Sequence, residues 1–183
     1  SPFCIKAMTR DISFAKSCDV EKILVYAASV KNMDSIDIDT WIASDITFMF
    51  SSFEDVGVIS WNKKHVRFFC CEFNSVNMIN ARWADNVVFQ KCSGKDISHL
   101  YMSDGYVEEC NFQGGKPSSC PVFEFWSSKY RERYVYVKKC VFINFYGEQK
   151  KDLLIDNTKV TIYLQDFWAQ TLLYPNDTIF ISA

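Results

Sequence analysis

Eight cysteines and two histidines, His65 and His99, are the residues in this 183-residue chain with the most evident capacity for nucleophilic chemistry. A working Cys–His pair needs an imidazole placed to take the thiol proton. His65 follows Lys63-Lys64, a polar stretch, and His99 stands beside Leu100; neither lies in a protease signature. Both read as surface or corner histidines. Cys70 and Cys71 are adjacent and no CxxC occurs, which argues against a zinc site. Paired carboxylates are the other route to catalysis, as general acid and base. The candidates are Glu108-Glu109, Glu54-Asp55 and the group Asp34, Asp37 and Asp39. They fall at outward positions where solvation alone explains them. The sequence offers no catalytic, cofactor-binding or metal-binding residues, and no cofactor is expected.

Two further segments could bind rather than react. Lys129, Tyr130, Arg131, Arg133, Tyr134, Tyr136, Lys138 and Lys139 interleave charge and rings, as single-stranded nucleic-acid platforms do. The plainer alternative is a strand with Val135 and Val137 facing in and Tyr134, Tyr136 and Lys138 facing out. Tyrosine and arginine suit a protein partner best. Trp126, Tyr130, Arg131, Arg133, Tyr134 and Tyr136 are therefore the expected contact surface. Gly114-Gly115-Lys116 lacks the Walker spacing and reads as a turn. Asn176-Asp177-Thr178 matches a glycosylation acceptor but sits poorly with reduced thiols.

The formal net charge of -2 is too balanced for electrostatic binding to nucleic acid or to an anionic membrane, or for a mimic of DNA. Apolar residues make up 49% and charged residues 23%, which excludes a disordered chain. No run reaches the ~18 apolar residues of a membrane span. The chain begins Ser1-Pro2, shows no signal-peptide pattern and is expected to be a processed form or a piece of a longer protein.

The elements that must position these residues follow a period of five. Ile38, Ala43, Phe48, Phe53, Val58, Lys63, Phe68, Phe73, Met78 and Trp83 form one ladder, apolar at nine of ten members. Two residues earlier runs a second: Ile36, Trp41, Ile46, Ser51, Val56, Trp61, Val66, Cys71, Val76 and Ala81, again apolar at nine of ten. Five matches neither the 3.6 of a helix nor the 2 of a strand. It requires a backbone that turns a corner every five residues and stacks the corners. Beyond a break at 84–95, Ile97, Met102, Val107 and Phe112 resume the larger ladder one residue out of phase, with Leu100 and Cys110 on the smaller. Cys71-Glu72-Phe73, Cys110-Asn111-Phe112 and Cys140-Val141-Phe142 repeat a small residue beside a large one, which suits free thiols acting as small hydrophobes in a reducing compartment.

Val20, Ile23, Leu24, Ala27 and Ala28 fit a helical spacing, so a short amphipathic helix is expected over 19–30, capping the first coil. Gln113 to Pro117 opens an excursion that lasts to about 134. Leu153 to Leu164 reads as one or two strands. Asp166 starts an expected helix through Leu172, and 178–181 a final strand. The domain reading is a helical cap at 1–35, a coil array at 36–145 and a strand and helix cap at 146–183, all one structural domain.

Units such as Cys71-Glu72-Phe73-Asn74-Ser75 and Val76-Asn77-Met78-Ile79-Asn80 resemble the pentapeptide-repeat family. The resemblance covers 36–112 and extends toward 142. It departs from the family pattern where Trp41, Trp61 and Val66 hold the small position. It implies an all-β solenoid, a right-handed quadrilateral parallel β-helix with helical caps. The stretch from Asp96 to Phe112 is similar to β-helix regions of secreted bacterial effectors, among them HECT-like ubiquitin ligases. That likeness implies a non-enzymatic module that binds a protein partner in the host cytoplasm, with any ligase domain elsewhere in a parent protein. The oligomeric state is left open. A carbohydrate-binding or polysaccharide-cleaving β-helix is the alternative expectation.

Overall fold

The structure is a computed structural model and describes residues 3–6, 12–114, 122–125, 135–143, 150–155, 158–163, 170–174 and 178–182. It is a parallel β-solenoid of about four turns. Each regular coil supplies one short strand to a first sheet and one longer strand to a second. The short strands are β2 (Lys22–Tyr26), β4 (Asp45–Met49), β6 (His65–Phe69), β8 (Val87–Gln90) and β10 (Gly105–Glu108). The long ones are β3 (Ser29–Asp37), β5 (Ser52–Ser60), β7 (Glu72–Ala81) and β9 (Ser93–Met102). Each strand pairs in parallel with its counterpart one coil away.

Coil lengths of 23, 20, 21 and 18 residues follow from the pairs Lys22–Asp45, Asp45–His65, Arg67–Val88 and Val87–Gly105. The 20-residue coil is four pentads long, which is why the five-residue period is so clear there. The 21-residue coil accounts for the one-residue slip in phase near 84–95.

All ten members of the second apolar ladder are buried, Ser51 included. The first ladder keeps Ile38, Ala43, Phe48, Phe53, Phe68 and Phe73 inside. Val58 and Met78 are half-buried, and Lys63 and Trp83 are exposed. Ile59 and Ile79 take the interior places that Val58 and Met78 were expected to hold. The long strands change pleat after Val56 and Val76, where Gly57 and Asn77 drop out of the register.

The interior is built from rings. Phe48, Phe68 and Phe89 stack face to face at 4.9 and 5.1 Å, and Phe53 stacks on Phe73 at 5.2 Å. The two columns meet edge to face, as in Phe68 against Phe73 at 5.2 Å. Offset stacking along a column and T-shaped contact between columns are the favourable arrangements for ring quadrupoles.

Corners are made by residues in the left-handed region. One row is Ala27, Phe50, Cys70, Lys91, Glu109 and Lys139, between the two sheets; the other is Asn32, Asp55, Ser75 and Asp96, inside the long strands. Asn and Asp tolerate this region because their short polar side chains bond locally. The second row follows that preference and the first does not.

Where a helix is expected over 19–30, the structure has β2 and the start of β3. The β-branched Ile23 and Val25 alternate inward and pair in register with Ile46 and Phe48, which outweighs the helical spacing. The first coil is instead joined by β1 (Phe3–Lys6), parallel to β2, and by a 3₁₀ turn at Ser13–Ser17 with Ala15 buried.

After β10 the coil lengthens to 30 residues, from Gly105 to Val135. Within it, β11 (Asn111–Gly114) and β12 (Val122–Phe125) pair with successive halves of β9, so the expected excursion returns one strand to the solenoid. β13 (Val135–Lys138) then pairs with β10, and β14 (Val141–Ile143) with β11, setting Phe142 opposite Phe112. The chain ends in two antiparallel pairs, β15 (Lys150–Ile155) with β16 (Thr158–Tyr163) and β17 (Gln170–Tyr174) with β18 (Thr178–Ser182). Thr171 and Leu172, expected in a helix, lie on β17; the rest of that expected helix, 166–169, falls outside the described residues.

Candidate functional site

The expected contact residues Trp126, Tyr130, Arg131, Arg133 and Tyr134 lie outside the described residues. Tyr136 is on β13, in register with Tyr106. Three other features of the solenoid stand out; the first extends the equivalence of Cys71, Cys110 and Cys140 read from the sequence, and the other two were not anticipated.

The first is a row of thiols at the corner between the sheets. Ser51, Cys71, Cys92, Cys110 and Cys140 occupy equivalent inward positions and are all buried. The position takes a small side chain, Ala28 in the first coil and a donor and acceptor in the later ones. The Ala28 N–H donates to Ser51 Oγ at 3.2 Å, and that hydroxyl donates to the Met49 carbonyl at 3.1 Å. In the last coil the Cys110 N–H donates to Cys140 Sγ at 3.5 Å. Each thiol donates in turn to the carbonyl two residues before it or to one in the preceding coil; for Cys92 these are Gln90 and Phe68, both at 3.4 Å. The adjacent Cys92 thiol and burial push the Cys71 thiol far above its ordinary range. Burial, then the thiols of Cys140 and Cys92, push Cys110 up as well. Donation from Cys110 and Cys71 would favour a Cys92 thiolate and draws that group down. Against this, the Phe68 and Gln90 carbonyls hold its own proton. The row is a structural hydrogen-bond ladder. Nucleophilic cysteines need access and an electropositive setting instead.

Five of the seven carboxylates considered for acid–base work have structural places. Asp39 accepts from the Asn62 and Lys63 N–H groups, both at 2.9 Å, and Asp37 from the Asp39 N–H at 3.1 Å. Glu54 pairs with Lys31 at 3.1 Å, while Asp55 and Glu109 are themselves left-handed corners. His65 is exposed at the start of β6. His99 is half-buried on β9 beside Tyr101, with Nδ1 buried and lacking a hydrogen-bond partner among the described residues. No group of three or more His, Cys, Asp or Glu among the described residues could hold a metal ion. No helix among them is long and apolar enough to cross a membrane.

The second feature is an exposed aromatic corner. Phe50 is 52% exposed and has φ of 52°. Its ring meets Tyr26, itself 38% exposed, edge on at 5.4 Å. Met49 and Phe69, half-buried on neighbouring coils, extend the apolar patch along the first sheet, and the Arg67–Asp45 ion pair at 2.6 Å lies on the same strands.

The third is a groove of about 320 Å³ on the outer face of the second sheet, lined by Glu72, Asn74, Ser93, Gly94, Lys95, Asn111 and Gln113. Gly94 stands in register between Phe73 and Phe112, where a ring would continue the column. A Cβ there would lie 2.6 Å from Ile97 Cδ1 and 2.8 Å from the Phe73 carbonyl oxygen, so the space a side chain would take is already filled. Phe73 and Phe112 close over the glycine to 6.4 Å, although two strand spacings would hold them roughly 9–10 Å apart. Ile97 and the two rings take up the space of the missing side chain inside, and the groove lies over Gly94 on the outer face. No protein-family model, curated protein or solved structure gave a significant match to the chain.

Proposed function

We propose that this chain is a non-enzymatic protein-binding module whose contact face is the aromatic corner of its first coils. Phe50 carries the reading. A phenylalanine in the left-handed region costs about 1–2 kcal/mol relative to ordinary backbone, and half of this ring stays in water. Each described corner of this row is left-handed, but Phe50 is the one aromatic among them, and an exposed ring held on a fixed corner suits a binding position. Tyr26, Met49 and Phe69 surround it with the residue types enriched where proteins meet. The occupant that fits is an apolar side chain of a partner protein, inserted beside the Tyr26–Phe50 edge.

In the same reading the coil is of the right-handed, square pentapeptide type and belongs to a secreted effector that acts in the host cytoplasm. What supports the coil type is the second apolar ladder with the Cys71-Glu72-Phe73 and Cys110-Asn111-Phe112 units, and the effector setting rests on the likeness of the stretch from Asp96 to Phe112.

The test uses Phe50→Asn, which removes the ring and relieves the corner. Partners captured by the immobilised wild-type chain would be identified by mass spectrometry, purified and titrated directly. The reading expects at least tenfold weaker binding for Phe50→Asn, with a thermal midpoint equal to or above wild type. Unchanged affinity would overturn it.

A further inference from the structure

The geometry points to the groove over Gly94 as a binding site for a short, uncharged saccharide. This inference does not depend on the aromatic corner, which lies on the other sheet. The groove is a product of packing, so its shape is set before any ligand arrives. β9 is paired in register with β7 and β11 on either side, with Gly94 between Phe73 and Phe112. Its volume of about 320 Å³ is at the small end of the ~300–1,000 Å³ typical of ligand sites.

The lining selects the ligand class. Three side-chain amides, Asn74, Asn111 and Gln113, join the Ser93 hydroxyl, the Glu72 carboxylate and the Lys95 ammonium. Planar amides and carboxylates bond two adjacent hydroxyls at once, donating to one and accepting from the other. The single acid and single base cancel, which favours an uncharged ligand. No large apolar side chain lines the groove, so it cannot seat the buried anchor that a protein partner requires. The backbone beneath is already paired in parallel on both sides of β9, which leaves no open edge for a peptide to extend. The floor is the backbone at Gly94, between the outward side chains of Ser93 and Lys95, and can receive the C–H face of a sugar ring. None of the six polar side chains spends its hydrogen bonds on another described residue, so their capacity is available to a polyol.

The full chain, labelled with ¹⁵N, would be titrated with cellobiose, maltose and N,N′-diacetylchitobiose, with trialanine as the peptide control. The inference expects saturable shifts for at least one disaccharide, centred on the side-chain amides of Asn74, Asn111 and Gln113. An Asn74→Ala/Asn111→Ala variant, changed only on the outer face, should lose at least tenfold in affinity with its circular dichroism unchanged. Ser93→Tyr, which fills the dent from outside, should do the same. Absence of shifts with all three disaccharides, shifts centred elsewhere, or an equal response to trialanine would each overturn the inference. Loss of binding in Phe50→Asn with the groove intact would also count against it.

Discussion

Two columns of side chains run through the solenoid, and they part company after the second ring, where the first continues with Phe89 and Val107 and the second with Gly94 and Phe112. On the side of the first sheet, Phe48, Phe68 and Phe89 stack without interruption. On the side of the second sheet, Phe53 and Phe73 are followed by Gly94 before Phe112 restores the ring. The unbroken column supports a face whose notable feature is a protruding aromatic. The broken one lies beneath the groove. In a coil one residue thick, interior and surface are two sides of the same strand.

The comparison is sharpest at Phe68, which stacks between two rings and meets two more edge on. Phe68→Ala is expected to cost ~3–5 kcal/mol in urea-induced unfolding, and Phe112→Ala, beside the glycine, less. Equal losses at the two sites would show that the interruption has no energetic meaning.

The thiol row runs beside both columns and gives a pH signature. Cys71 and Cys110 have raised pKa values in the folded state, so the unfolded chain ionises first as pH climbs past the ordinary thiol range near 8.5. Unfolding free energy should be pH-independent from these groups below that range. Above it, the loss is about 1.4 kcal/mol per pH unit for each thiol, continuing until the folded pKa is reached. A flat stability profile between pH 8 and 10, measured by urea denaturation, would contradict the assignment.

Gly94→Ala addresses the broken column itself. Glycine-to-alanine changes in ordinary strands usually stabilise, but this Cβ meets the Phe73 carbonyl and the Ile97 side chain. A loss of ~1–3 kcal/mol is expected by overpacking. A gain in thermal midpoint would mean that the space beneath Gly94 is not filled. The smallest effect belongs to the other face: Phe50→Asn should raise stability by up to ~1 kcal/mol, because asparagine tolerates the corner.

How far the sequence disclosed this follows from the same geometry. The second ladder was legible because a small or β-branched residue precedes each Phe, and the 20-residue coil holds that order in phase. The first ladder failed at Val58 and Met78, where the long strands change pleat without a glycine or proline common to both. The helix expected over 19–30 failed because pairing with β4 outweighs spacing. Cys92 escaped notice because Gly94 takes the place of the phenylalanine that marks its equivalents at Cys71 and Cys110. Phe50 carries no local sign of its left-handed backbone. Both surface sites therefore sit where the repeat is broken or strained, which is where a pattern read from repetition has least to say.

The central claim, that successive coils stack in register around shared ring columns, is tested most directly by nuclear Overhauser contacts among phenylalanine rings in an otherwise deuterated chain. The account predicts contacts from Phe68 to both Phe48 and Phe89, and from Phe73 to Phe112 across the glycine. A Phe68 ring in contact with neither, or Phe73 and Phe112 rings too far apart to exchange magnetisation, would contradict it.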